Sequence, residues 1–242
     1  MPSPRKITVT SLLVSGLLLL TTTLFAGEAA TITHVSGPLA VRKTGGATKA
    51  ISIGSKIEEG DTVITEKRTY ARLKFHDGSE VTLKPNSQFK VEAFSFDKEK
   101  PKNDSASLNL IKGGLRTITG QIGKRGNQDS YRMKTPAATI GVRGTIYDAH
   151  FCLGDSCGAI KPGLYLAVSN GSVVITNSEG SQTTLQVKAG QYVYVQNPVT
   201  PPVVLPVKPD LPFNPPPSVG ANASGKSGGN QGGGRSMDCE VR

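Results

Sequence analysis

Between about residue 31 and residue 196, apolar side chains recur at every second position in short runs separated by Gly, Asp and Asn. That period belongs to strands with one face on a core. No stretch in this region keeps helical spacing. The clearest unit is YARLKFHDGSEVTLKP, residues 70–85. Residues 70–75 alternate, Asp77 and Gly78 supply a tight turn, and Val81 and Leu83 alternate back. Asp-Gly between alternating runs signals a hairpin, because glycine accepts the positive φ that the turn demands. Further strand-like runs follow: SQFKVEAFSF, SASLNLIKGGLRTIT with a break at Gly113 and Gly114, YRMKTPAATIGVRGTIYDAHFC, GLYLAVSNGSVVIT and TTLQVKAGQYVYV. The pattern predicts an all-β domain over residues 30–197, built as a flattened β-sandwich or a solenoid-like stack of short strands.

One run departs from the rest. TPAATIGVRGT, residues 135–145, alternates like a strand but gives up side-chain volume. With period two, Pro136, Ala138, Ile140, Val142 and Ile146 share an apolar, core-facing side. Thr135, Ala137, Thr139, Gly141, Arg143 and Thr145 share the other side, which is small except for Arg143. Small residues allow close backbone approach or force a bend. Pro136, Gly141, Arg143 and Gly144 are therefore expected to form a structural motif. Arg143 has two readings: a partner for a structural carboxylate or carbonyls, which is preferred, or a ligand contact.

A faint internal echo links the two ends of the domain. IEEGDTVIT (57–65) resembles VKAGQYVYV (187–195), and VSGPLAV (35–41) resembles VSNGSVVI (168–175). Related packing roles and shared turn grammar both account for it.

Outside the domain the composition changes. Residues 1–26 combine Arg5 and Lys6 with the apolar run SLLVSGLLLLTTTLF, and small residues follow through Ala30. This reads as a cleaved signal peptide, the rival being an uncleaved anchor. The apolar run is shorter than the roughly 20 residues of a membrane helix. Cleavage would leave no stable membrane span. Residues 198–242 read as a disordered tail, Pro-rich and then Gly-rich: nine prolines fall in 198–217 and seven glycines in 220–234. The Pro-rich part should be extended, reaching about 3.1 Å per residue.

Charge and cysteines narrow the function. The formal net charge is +10 and falls to about +8 once Arg5 and Lys6 leave with the signal. A basic exported protein, periplasmic or secreted, meets anionic glycan or lipid surfaces and acidic proteins. Nucleic acid is not expected, since Trp is absent and aromatics are 5% of residues. Cys152 and Cys157, with four residues between them in FCLGDSCG, suit a small disulfide ring in an oxidising compartment. A metal site with His150 lacks a fourth ligand. Cys239 is left over. Lys112, Arg116, Lys124, Arg125, Arg132 and Lys134 fall in and just after a stretch free of acids from Ser105 to Gln128. They are the candidate interaction face, the alternative being a solvated edge that discourages strand addition. His34, His76 and His150 are scattered, and no nucleophile is placed with a base. No catalytic residue, metal or cofactor is expected, and the chain does not read as an enzyme.

TPAATIGVRGT followed by Tyr147 resembles the signature of the FecR (ferric-citrate regulator) domain family. The resemblance extends through GDTVIT, ARLKFHDGSEVTLKPNSQFKVE and GGLRTIT upstream, and through the cysteine loop and GLYLAVSNGSVVIT downstream. It covers about residues 30–196 and is similar to the stand-alone exported proteobacterial members. It implies an extracytoplasmic all-β domain and, in some members, a part in sigma-factor signalling. The regulators' cytoplasmic anti-sigma region and small receptor-contacting domain have no counterpart in this sequence. The resulting expectation is a non-catalytic envelope protein acting as a protein-interaction, sensing or scaffolding module with an envelope protein partner. The alternative is a binder of anionic envelope polymer such as peptidoglycan or lipopolysaccharide.

Overall fold

The computed structural model describes residues 27–125, 129–180 and 182–220. The signal-peptide expectation for 1–26, the Gly-rich tail from residue 221 and Cys239 lie outside the described residues. Fifteen strands join in one hydrogen-bonded network. Three long strands organise it: β9 (Ser105–Ile118), β11 (Ala138–Cys152) and β12 (Gly163–Asn177). Each changes partners part-way along, so the network folds over into two layers. The all-β expectation holds.

The first layer holds β4 (Lys56–Glu58), β1 (Glu28–Val35), β6 (Ala71–Phe75) and β7 (Glu80–Leu83). It continues through the later half of β9, the later half of β11 and the early half of β12. β14 (Tyr192–Val195) and β15 (Val203–Leu205) complete it. The second layer holds β3 (Thr48–Ile51), β2 (Leu39–Arg42), β5 (Thr62–Thr65) and β8 (Gln88–Ser95). The early half of β9, β10 (Tyr131–Lys134), the early half of β11, the later half of β12 and β13 (Thr184–Lys188) follow. β9 and β10 are parallel. The predicted hairpin is β6–β7, with Lys74 opposite Glu80 and Gly78 at φ 82°.

One core lies between the layers. Phe75 on β6 and Phe94 on β8 meet across it, ring centroids 5.2 Å apart. Tyr131, Tyr147 and Phe89 are fully buried, and burial of the Phe89 side chain contributes on the order of 1.5–3 kcal/mol. Burial drives the phenols of Tyr131 and Tyr147 above the ordinary tyrosine range.

The bends explain the volume lost from residues 135–145. Gly144 has φ 54° and Gly171 has φ 75°. A Cβ on Gly171 would come within 2.5 Å of the Gly144 carbonyl oxygen. β11 and β12 therefore turn from one layer to the other in contact, and glycine is required where they cross. The crossing also corrects the predicted strand faces. Ala138, Ile140 and Val142 point into the core as expected, but the register shifts between Arg143 and Ile146. Beyond the bulge Thr145, Tyr147 and Ala149 are the buried side, and Ile146 is not. A bulge adds one residue to the count and inverts the alternation. Pro136 precedes β11 and is exposed. Thr135 closes the turn beside it, its Oγ1 accepting from Ala138 N at 3.0 Å.

The echoed segments all mark places where the chain passes between layers. Residues 35–41 run from β1 to β2, and 57–65 from β4 to β5. Residues 168–175 span the bend of β12, and 187–195 run from β13 to β14.

The Pro-rich half of the expected tail is extended, as its composition predicts, but it lies against the domain instead of standing in solvent. β15 adds to the edge of β14, with Tyr192 opposite Leu205. Val219, in the short helix Pro217–Gly220, is fully buried, and its carbonyl accepts from the Arg72 guanidinium. An aromatic and an aliphatic anchor hold residues that proline keeps from forming a longer ladder. No helix among the described residues is long and apolar enough to cross a membrane.

Candidate interaction surfaces

The six basic residues predicted to form one face are divided by the bend of β9. Arg116 stands on the outside of the first layer and binds Asp148 in a fork, Nε to Oδ1 at 2.7 Å and Nη2 to Oδ2 at 2.8 Å. That carboxylate raises the Arg116 guanidinium further above its usual range. Arg132 and Lys134 stand on the outside of the second layer, on β10, paired with Asp129 at 3.3 Å and Glu92 at 2.7 Å. Arg125 lies in the loop after β9. It reaches Asp104 at 3.1 Å, donates to the carbonyls of Asp97 and Lys98, and lies 4.8 Å from the Phe96 ring. Four of the six are thus tied to carboxylates. Lys112 and Lys124 have no ion-pair partner among the described residues. The single basic face is replaced by two separate surfaces.

The first surface is a groove of about 480 Å³ on the outside of the second layer. Register defines its floor. One row of the sheet reads Arg132, Gly141, Val174, Gln186 across β10, β11, β12 and β13. The next row along reads Arg143, Ser172, Lys188. Thr139, Thr176, Asn177 and Gln182 complete the walls. Gly141 leaves a gap between Arg132 and Val174, which deepens the groove. Arg143 is exposed, and its guanidinium makes no hydrogen bond or ion pair among the described residues. The structural reading of Arg143 calls for a carboxylate or carbonyl partner; at the last position before the bulge the side chain is exposed, and it has no such partner among the described residues. Gly144 keeps its structural role at the crossing.

The second surface is the outside of the first layer, partly covered by the segment from Lys208 to Phe213 that follows β15. Phe213 lies over the Arg116 guanidinium at 4.2 Å and stands edge-on to Tyr70 at 6.1 Å. Beneath the strap a small cavity of about 30 Å³ is lined by Lys84, His150, Tyr165, Pro209 and Leu211, among others. Lys84 Nζ lies 3.1 Å from His150 Nδ1. Burial, with Lys84 adding to it, pushes the His150 imidazole down to about 3. Burial also lowers the Lys84 ammonium.

Cys152 and Cys157 are bridged, with sulfurs 2.07 Å apart, and close the loop after β11. His150 lies close enough for the three ligand atoms to fall within 4.8 Å of one another. Sulfurs committed to each other offer no thiolates, and the His150 nitrogen nearest Lys84 faces a cation, so the donor set does not suit a metal in this state.

The segment from Asp61, just before β5, to Val173 on β12 holds the fold's central strands and the early part of the groove. Residues 61–173 match the family model described as FecR protein. The match falls inside the 30–196 range of the resemblance and includes TPAATIGVRGT. The search of curated proteins finds no match. Among solved structures, the chain is similar to a Parabacteroides distasonis ATCC 8503 protein assigned as a candidate anti-sigma factor, at 12% identity and a TM-score of 0.44. That similarity covers 60% of this chain and 58% of the other, so the chain spans under two thirds of that structure's length. A cell surface anchoring domain is similar at 26% identity over 26% of this chain and 82% of its own, with a TM-score of 0.25.

Sequence reasoning did not single out Ser172, Val174, Thr176, Gln182, Gln186 and Lys188. Their signal was present as the outward positions of two alternating runs. Only the pairing of β12 with β11 and β13 brings them beside Arg143 and Arg132.

Proposed function

We propose that this is an exported, non-catalytic envelope protein whose all-β domain acts as a protein-interaction module in sensing or scaffolding. The observation that carries this reading is the FecR match over residues 61–173, which includes β10 and β11 on one side of the groove. The Cys152–Cys157 bridge supports an oxidising compartment. So does the signal-like start of the sequence. Binding of anionic wall polymer or lipopolysaccharide is the weaker reading. It would draw on unpaired surface cations, and four of the six in the candidate interaction face are paired with carboxylates.

Photo-crosslinking in the native host tests this. A crosslinker is placed at Gln186 beside the groove, at Val207 on the strap and at Lys49 on β3. The proposal expects one reproducible protein adduct from at least one position. Adducts with polysaccharide or lipopolysaccharide alone would overturn it.

A further inference from the structure

We propose that the groove around Arg143 binds an extended acidic segment of a protein partner, with carboxylates at alternate positions. This rests on the interaction-module reading and names the chemistry of its partner. Arg132 and Arg143 line the groove, and Lys188 stands on the same row as Arg143 with Ser172 between them. Across two strand spacings these two cations are about 10 Å apart, and the Arg132 row lies about 7 Å along the sheet. The Lys124 stem passes the same end, its Cγ 3.6 Å from where a Cβ on Gly144 would be. Arg143, Lys124 and Lys188 have no ion-pair partner among the described residues. Asp129 is the one acid in the lining, and it is paired with Arg132 at 3.3 Å.

Two features select the ligand class. Guanidinium forks match carboxylates, and exposed, unpaired cations complement an acidic chain. In an extended peptide, side chains two residues apart lie on one face about 7 Å from each other, which matches the spacing of the two rows. The remaining lining is Thr139, Thr176, Gln182 and Gln186, whose hydroxyls and amides suit a peptide backbone. Asn177 adds an unpartnered acceptor, its buried Oδ1, at the wall. No aromatic residue lines the groove, so it offers no platform for stacking sugar rings.

The test is a fluorescence titration of the full exported chain with a labelled peptide of alternating Glu and Thr. Controls are the Lys and Thr counterpart and an anionic polysaccharide, polygalacturonate. The Glu peptide should bind, more weakly as salt rises, and Arg143→Ala and Lys188→Ala should each weaken it about tenfold. Gly141→Gln should abolish binding while the protein stays folded, because a Cβ there meets only Val174 O at 3.7 Å. Lys49→Ala, on distant β3, should leave it unchanged. No binding of the Glu peptide overturns the proposal, as does binding indifferent to Arg143→Ala and Gly141→Gln. Polygalacturonate bound through these residues in preference to the peptide overturns it in favour of a polymer site. Protein adducts from Val207 or Lys49 combined with a silent groove would sink this proposal and leave the interaction-module reading standing.

Discussion

Arg143 and Ser172 face each other on β11 and β12 at the last rung before the bulge that carries both strands into the other layer. The bulge fixes which way Arg143 points. It stands outward over a groove floored by Gly141, and its guanidinium meets no carboxylate among the described residues. The run that lost volume therefore has two separate reasons for doing so: Gly144 serves the crossing, and Gly141 opens the groove.

The crossing should tolerate no side chain at Gly171. Alanine there would hold a left-handed φ, costing about 1–3 kcal/mol, and would press on the Gly144 carbonyl at 2.5 Å. Gly171→Ala is expected to lose about 2–4 kcal/mol in urea unfolding. Gly141→Ala should be neutral or stabilising by up to about 1 kcal/mol. Equal losses at both positions would contradict the assignment of roles.

The strap is held by Arg116 and Phe213. Arg116→Ala removes the fork to Asp148 and the contact with the Phe213 ring, at a cost of about 1–2 kcal/mol. Limited proteolysis should then cut within residues 203–219 sooner than in the parent. Phe213→Ala should give the same cleavage, and the double variant should add little, since both act through one contact.

His150 gives the domain a pH dependence of known sign. Its folded-state imidazole is held down to about 3 by burial first and by Lys84 second, whereas an unfolded histidine titrates near 6.5. Below that value the unfolded chain binds one more proton, so stability falls with pH from about 6.5 toward 3, by up to about 1.4 kcal/mol per unit. Glu92 adds to this at the acid end. Burial would raise its carboxyl, but the hydrogen bonds from Lys134, Asn109 and Ser107 outweigh that and hold it below its usual range. Its contribution is present above about pH 4.5 and is lost as pH falls through the lowered value. Stability curves of His150→Gln should be flatter between pH 6.5 and 5. An unchanged slope in that window would mean that His150 is not the buried neutral group described.

The Cys152–Cys157 bridge closes a ring of six residues, counting both ends. Loop-closure entropy for so short a ring gives about 2 kcal/mol. Reduction of the parent protein, or replacement of both cysteines by alanine, should cost that amount and leave the groove's binding unaltered.

Much of the fold was legible in the sequence because period-two patterning and turn chemistry are local. The Asp77–Gly78 hairpin and the disulfide ring are decided within a few residues, whereas Gly113, expected as a break between two runs, is a positive-φ position inside the single strand β9. The groove was not legible, because Arg143, Ser172 and Lys188 become neighbours only through pairing among β11, β12 and β13. The supposed basic face failed for a related reason: residues adjacent in sequence were separated by the bend of β9, which sends Arg116 to the outside of one layer while Arg132 and Lys134 face out from the other. The Pro-rich segment was correctly read as extended, but composition gave no sign that Phe213 and Val219 would anchor it.

The most direct test of the central claim, that Arg143 serves recognition and not folding, is the melting temperature of Arg143→Ala. An exposed, unpaired side chain should change stability by no more than about 0.5 kcal/mol, or roughly 1–2 °C for a domain of this size. A fall of more than about 4 °C would show that Arg143 holds the fold together and would contradict the account.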